Sequence, residues 1–274
     1  MSDLNATIAA LFVYPVKSCR GSALSTAVLT ERGIAHDREW LIVDDGGRFV
    51  TQREAPRLAL IVPKLSETAL ELAAPGLPPL ALPLDRAGAR CNVTVWGDRL
   101  PAIDQGDAAA ALLSTCMGRP LRLARFDPAV RRYCNPAFAG PGGAHHSFAD
   151  GYPVLVVSEA SLADLNGRLS APLPVDRFRP NLLLSGIEAY DEDRIDEATI
   201  GGATLKMVKP CTRCQITTTD QATAQVGIEP LPTLGGYRYN AALEGVTFGM
   251  NAILRTGAGT SLTVGATVSC TLNF

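Results

Sequence analysis

The sequence predicts a mostly β, α+β fold made of barrel- or sandwich-like sheets with few helices. Three observations carry that expectation. Short apolar, β-branched runs recur along the chain, split by Gly, Pro and Asp turns. Only two stretches show helical spacing with proper start and stop residues. The 274 residues are 47% apolar and 19% charged, so the chain is globular and can bury a core without disulfide or metal staples.

The elements follow in order. Thr7–Val13 is an apolar strand ended by Pro15. Trp40–Val43 is a strand, and Asp44, Asp45, Gly46 and Gly47 form a hairpin turn into Phe49–Thr51. Leu58–Val62 reads as a further strand before Pro63. Residues 65–85 form two edge strands with a turn at Ala74, Pro75 and Gly76. Cys91–Trp96 alternates, with Val93 and Val95 on one face and Thr94 and Trp96 on the other. A helix spans Asp104–Cys116, with Gly118 and Pro120 as its stop.

Residues 127–151, rich in Gly, Pro, Ala and His, read as one long loop. Val154–Val157 resumes the strands. Ser158–Leu169 is the second helix, with Ser158 as N-cap and Leu162, Leu165 and Leu169 on one face. Asn181–Ser185, Thr204–Val208, Gln215–Thr219 and Leu262–Leu272 are strand-like.

Composition excludes several classes. A net charge of -2 gives no electrostatic reason to expect a nucleic-acid or membrane-surface partner. No apolar run is long enough for a membrane helix, and the first residues lack the pattern of a signal peptide. The seven cysteines are odd in number and irregular in spacing, unlike a secreted disulfide framework. A cytoplasmic location is therefore expected. Lys17, Lys64, Lys206 and Lys209 are the only lysines among 25 basic residues, which singles out Lys17 in its Pro15–Cys19 context.

The most specific segment is Val208–Asp220 (VKPCTRCQITTTD), which sets Cys211 and Cys214 three apart with Arg213 between them. Thiolates bind soft metals, and a neighbouring cation favours the ionised sulfur. Zinc would need two further ligands at comparable spacing, and no second CxxC exists. A thioredoxin-type pair opens a helix, whereas this one is expected to open a strand. His36, His145 and His146 read as loop histidines, with proton shuttling as the functional alternative.

Six stretches in order carry a family resemblance: residues 11–21 (LFVYPVKSCRG), 36–61, 93–107, 151–166, 177–186 (RFRPNLLLSG) and 208–220. The chain resembles MOSC-domain proteins with an N-terminal MOSC β-barrel domain, the group that includes amidoxime- and hydroxylamine-reducing proteins. The resemblance implies an N-terminal β-barrel-like domain at 1–120 and a MOSC β-barrel domain at 121–274. It implies a molybdenum cofactor (Mo-pyranopterin) held in a cleft between the two.

By motif position the resemblance makes Cys214 the metal ligand and catalytic centre, with Arg213 keeping its thiol ionised and Cys211 structural. It makes Lys17, Ser18, Arg38, Ser158, Glu159, Ser161, Arg179 and Asn181 the cofactor-binding set. Arg177 is assigned to the solvated surface. The implied activity is reduction of small N-hydroxylated compounds, with a non-catalytic cofactor carrier as the alternative. Ile187 stands where some members have a second cysteine. No ferredoxin-type cysteine cluster and no membrane anchor are read in the chain. Electrons are therefore expected from a separate ferredoxin- or flavoprotein-type donor.

Overall fold

In the computed structural model, residues 4–85 and 87–273 are described. Seven strands close into a barrel. Their order is Val154–Ser158, Leu182–Ser185, Leu4–Val13, Thr267–Leu272, Ile195–Ile200, Ala203–Thr212 and Gly245–Thr256, which pairs back onto Val154–Ser158. Side chains such as Ile8, Val156, Leu184, Leu205, Ala252 and Val268 fill the interior, as period-two strands with one apolar face require. Val154–Ser158 and Leu182–Ser185 run parallel, so their connection must cross over, and helix Glu159–Arg168 provides it. Leu165 of that helix packs outside the barrel with Val157, Phe178 and Phe248.

The first half of the chain builds a second core. One sheet orders Trp40–Val43, Arg122–Phe126, Asp98–Asp104 and Arg90–Val95. Another orders Val62–Leu65, Ala69–Ala73 and Leu80–Pro83. Helix Asp107–Met117 buries Ala109, Leu112 and Leu113 against Trp40, Leu58 and Leu72.

The mostly β, α+β expectation and its two barrel domains hold. Among the described residues strand pairing crosses residue 120 in three places, one of them between Thr26–Thr30 and Ser261–Thr263. Leu4–Val13 belongs to the later barrel, and Arg122–Phe126 pairs with Trp40–Val43 of the first half. We propose that the division 1–120 and 121–274 describes the two cores once these strands are exchanged.

Several elements differ from the sequence reading. Pro56 starts a 3-10 turn, Pro56–Leu60, so the expected strand at Leu58–Val62 begins only at Val62. Asp104 ends a strand, and its side chain accepts from Gly106 N at 2.7 Å. The first helix therefore opens at Asp107. Residues 127–151 contain a hairpin, Arg132–Tyr133 with His145–His146, and a helical turn at Pro136–Ala139. Gln215–Thr218 is a 3-10 turn, not a strand. Leu262–Leu272 breaks into Ser261–Thr263 and Thr267–Leu272 at Gly265 (φ 89°).

The barrel-closing strand Gly245–Thr256 escaped the reading because glycines interrupt its apolar pattern. Gly249 is required there. Its φ is 77°, and a Cβ would lie 2.7 Å from Val156 O on the neighbouring strand.

Candidate functional site

A cavity of about 260 Å³ lies where the two cores meet. The backbone around it is cross-tied between distant segments. Lys17 N donates to Trp40 O at 2.8 Å, and Arg38 N to Tyr14 O at 2.8 Å. Phe148 N donates to Arg38 O at 2.9 Å, and Asn181 N to Leu155 O at 2.8 Å. Ser18, Arg38 and Arg179 all have left-handed backbones, with φ of 65°, 46° and 56°. For non-glycine residues this costs on the order of 1 kcal/mol each and clusters at functional sites.

Of the expected site residues, Lys17, Ser18, Arg38, Arg179, Asn181 and Cys214 all line this cavity. Lys17 is 5% exposed, and its Nζ donates to Phe148 O at 2.7 Å and to Asp150 Oδ1 at 2.6 Å. Burial pushes the Lys17 pKa down, opposed by Asp150. Trp96 Nε1 also donates to Asp150, at 3.0 Å.

Arg38 and Arg179 lie against one ring: each guanidinium carbon is 4.3 Å from the Tyr14 centroid. Arg38 bonds the Asp37 carboxylate, Asn181 Oδ1 at 3.1 Å and Arg179 O at 3.0 Å. Arg179 is 9% exposed and gives Nη1 to Cys19 O at 2.7 Å, while its Nη2 is buried without a partner. Burial, followed by the Arg38 charge, pushes its pKa down to about 10. Asn181 spends its amide inward, accepting from Arg38 and Leu155 N and donating to Phe12 O. It holds Arg38 in place.

The cysteine motif differs from expectation in its cations. Arg213 turns to Cys211, with Nη1 2.9 Å from its sulfur, and to Phe178 O at 2.6 Å. The cation at Cys214 is Arg53, whose Nη2 donates to Sγ at 3.1 Å. Arg53 also lies over the Trp96 ring, 4.8 Å from its centroid. Cys214 is partly exposed and caps the Gln215–Thr218 turn.

Six cations (Lys17, Arg38, Arg53, Arg179, Lys209 and Arg213) line the cavity, and Asp150 is the one carboxylate among its described lining residues. Arg53 and Asp150 were missed in the sequence. Arg53 lies in the 36–61 stretch, and Asp150 immediately precedes the 151–166 stretch, which was the available signal.

Ser158, Glu159 and Ser161 are not part of the cavity lining. Ser158 Oγ accepts from Ser161 N at 3.0 Å as a helix cap, and Ser161 Oγ accepts from Tyr190 N at 2.8 Å. Glu159 is an exposed first-turn carboxylate. Ser158 and Glu159 follow the logic of a helix start. Arg177 is buried, not solvated, and pairs with Asp220 at 3.0 Å. His36 pairs with Glu39 at 2.7 Å, and His145 and His146 are buried in the hairpin.

Residues 5–120 match the MOSC N-terminal beta barrel domain, and residues 143–269 match the MOSC domain. The chain belongs to this family. It is 38% identical to mitochondrial amidoxime-reducing component 1 of Homo sapiens, over 85% of this chain and 72% of the human protein. It is 33% identical to mitochondrial amidoxime reducing component 2 of Rattus norvegicus, over 85% and 72%. It is also 33% identical to molybdenum cofactor sulfurase of Oryza sativa subsp. japonica, over 87% of this chain but 31% of that protein. Among the described residues no helix is long and apolar enough to cross a membrane.

Proposed function

We propose that this protein is a molybdenum-cofactor-dependent reductase of N-hydroxylated compounds: hydroxylamines, amidoximes and N-hydroxylated nucleobases. The observation that carries the reading is the Cys214 thiol set among six cations and one carboxylate, in a relative of the amidoxime-reducing components. A pyranopterin cofactor brings an anionic phosphate and a metal already held by soft sulfurs. The donor set suits it: a soft thiol, several guanidiniums, and buried Arg179 Nη2 and Arg213 Nε without partners.

In this reading Cys214 ligates the metal. Lys17, Ser18, Arg38 and Arg179 hold the cofactor, and Asn181 keeps Arg38 aimed. The bound metal supplies the two-electron reduction of the N–OH group. Arg53 places positive charge at the Cys214 sulfur, and Lys17 fixes the Asp150 carboxylate at the cavity wall. Electrons come from a separate ferredoxin- or flavoprotein-type donor. The seven free cysteines suit a cytoplasmic protein.

A second reading, a carrier that binds the cofactor and passes it on, draws on the similarity to the sulfurase. The test is elemental analysis and turnover after co-expression with active cofactor synthesis. Near-stoichiometric molybdenum with reduction of a hydroxylamino substrate by an artificial electron donor supports the reductase. Molybdenum without turnover favours the carrier, and zinc without molybdenum overturns both.

A further inference from the structure

We propose that a second cavity, sharing Arg179 with the first, is a binding site for a small oxyanion of the size of phosphate, sulfate or a short carboxylate. This cavity has a volume of about 260 Å³ and is bounded by Tyr14, Arg20, Gly21, Asp176, Arg179 and Gln221, among others. Arg179 is the one lining residue common to the two cavities.

The wall carries polar atoms that the protein leaves unsatisfied. Tyr14 is 1% exposed, and its hydroxyl has no hydrogen-bond partner. Arg179 Nη2 and Asp176 Oδ1 are likewise buried and unpartnered. Leaving such groups bare is costly, so the cavity is built for an occupant that bonds to them. Gly21 helps keep the Tyr14 ring in place: a Cβ there would lie 2.3 Å from Tyr14 Cε1.

The charge balance selects the occupant. Arg20 and Arg179 bring two guanidiniums, and Arg20 Nη2 bonds only a carbonyl, that of Gln221. Arg179 Nη1 also bonds only a carbonyl, that of Cys19. Among the described residues no carboxylate forms an ion pair with either arginine. Water would satisfy single hydrogen bonds but would leave a buried cation without a counterion. Asp176 cannot balance both guanidiniums of the lining, being one carboxylate against Arg20 and Arg179; burial raises its pKa, against the pull of Arg177 and Arg20. Two guanidiniums and a phenol together form a donor set for oxygen. Because Arg179 also lines the first cavity, occupancy here couples to ligand binding there, and the coupling is reciprocal.

The test uses the cofactor-free full chain and thermal unfolding. Phosphate, sulfate and acetate are titrated separately, with chloride at matched ionic strength. Lys17→Ala alters only the first cavity; Arg20→Ala and Tyr14→Phe alter only the second. The expected result is stabilisation by at least one of the three oxyanions beyond chloride, retained in Lys17→Ala and weakened about tenfold or more in apparent affinity in Arg20→Ala and Tyr14→Phe. Which salt acts tells a phosphate-type ligand from a carboxylate. Loss of the effect in Lys17→Ala with retention in the other two would place the anion in the first cavity and overturn the proposal. So would an effect no larger than that of chloride. Tyr14→Phe removes a hydroxyl that holds no protein partner, so it decides the matter if Arg20→Ala does not fold.

Discussion

Arg53 Nη2 lies 3.1 Å from Cys214 Sγ, joining residues 161 positions apart. The neighbour in sequence, Arg213, spends its guanidinium on Cys211 and Phe178 instead. Positive charge at the Cys214 sulfur is thus delivered by the first half of the chain to the second. Arg53→Ala should slow alkylation of Cys214 by iodoacetamide at neutral pH, by about fivefold for an interaction near 1 kcal/mol. Arg213→Ala should leave that rate within about twofold and change the rate at Cys211. Peptide mapping by mass spectrometry separates the two sulfurs. Equal slowing by both variants would remove Arg53 from its special place.

The two cysteines should also separate in metal loading. Cys214→Ser replaces a soft donor by a hard one and should lower molybdenum content by more than about tenfold. Both cysteines are free and partly exposed, so the substitution should leave the unfolding midpoint nearly unchanged. Cys211→Ser should retain the metal. Elemental analysis beside a thermal melt reads both quantities. Metal loss in Cys211→Ser would instead indicate a site using both sulfurs.

How much of this was legible in the sequence depends on the range of the forces involved. Helix Glu159–Arg168 was readable because its signals are local: a serine cap and leucines one turn apart. The six residues that converge on the cavity were readable as motifs, and their common destination follows from the family resemblance. The partners of those residues were not. Arg53 with Cys214, and Lys17 with Asp150, meet across 161 and 133 positions of sequence, which leaves no local trace. Ser158 and Ser161 misled for the opposite reason. A helix start and an anion site use the same residue types; here Ser158 Oγ caps the helix and Ser161 Oγ accepts from Tyr190 N.

Barrel closure should be sensitive at Gly249. The residue is left-handed, and an added methyl would meet Val156 O across the closing strand pair. Gly249→Ala therefore combines backbone strain with a steric clash and should destabilise by about 2 kcal/mol or more. Urea unfolding reads this as a lower midpoint. A stability within about 0.5 kcal/mol of wild type would show that the pair relaxes without cost.

Acid should destabilise the fold through His146. The ring is 2% exposed, and burial, then Arg132 and Lys17, push its pKa down from 6.5 to about 3. The native state therefore holds His146 neutral, while the unfolded chain protonates it near its ordinary value. Below that ordinary value the unfolded state binds more protons, so stability falls as pH falls, until the native ring protonates too. The window runs from about pH 6.5 down to about pH 3. One such proton contributes a slope of at most about 1.4 kcal/mol per pH unit. His146→Gln keeps an acceptor for the neighbouring Arg132 Nη1, which lies 3.4 Å from the ring nitrogen, and removes the titration. Urea midpoints for the two proteins should converge as pH drops through the window, because the wild type loses stability faster. Parallel profiles would mean that His146 accepts its proton without leaving its place, and that the acid sensitivity lies in the carboxylates.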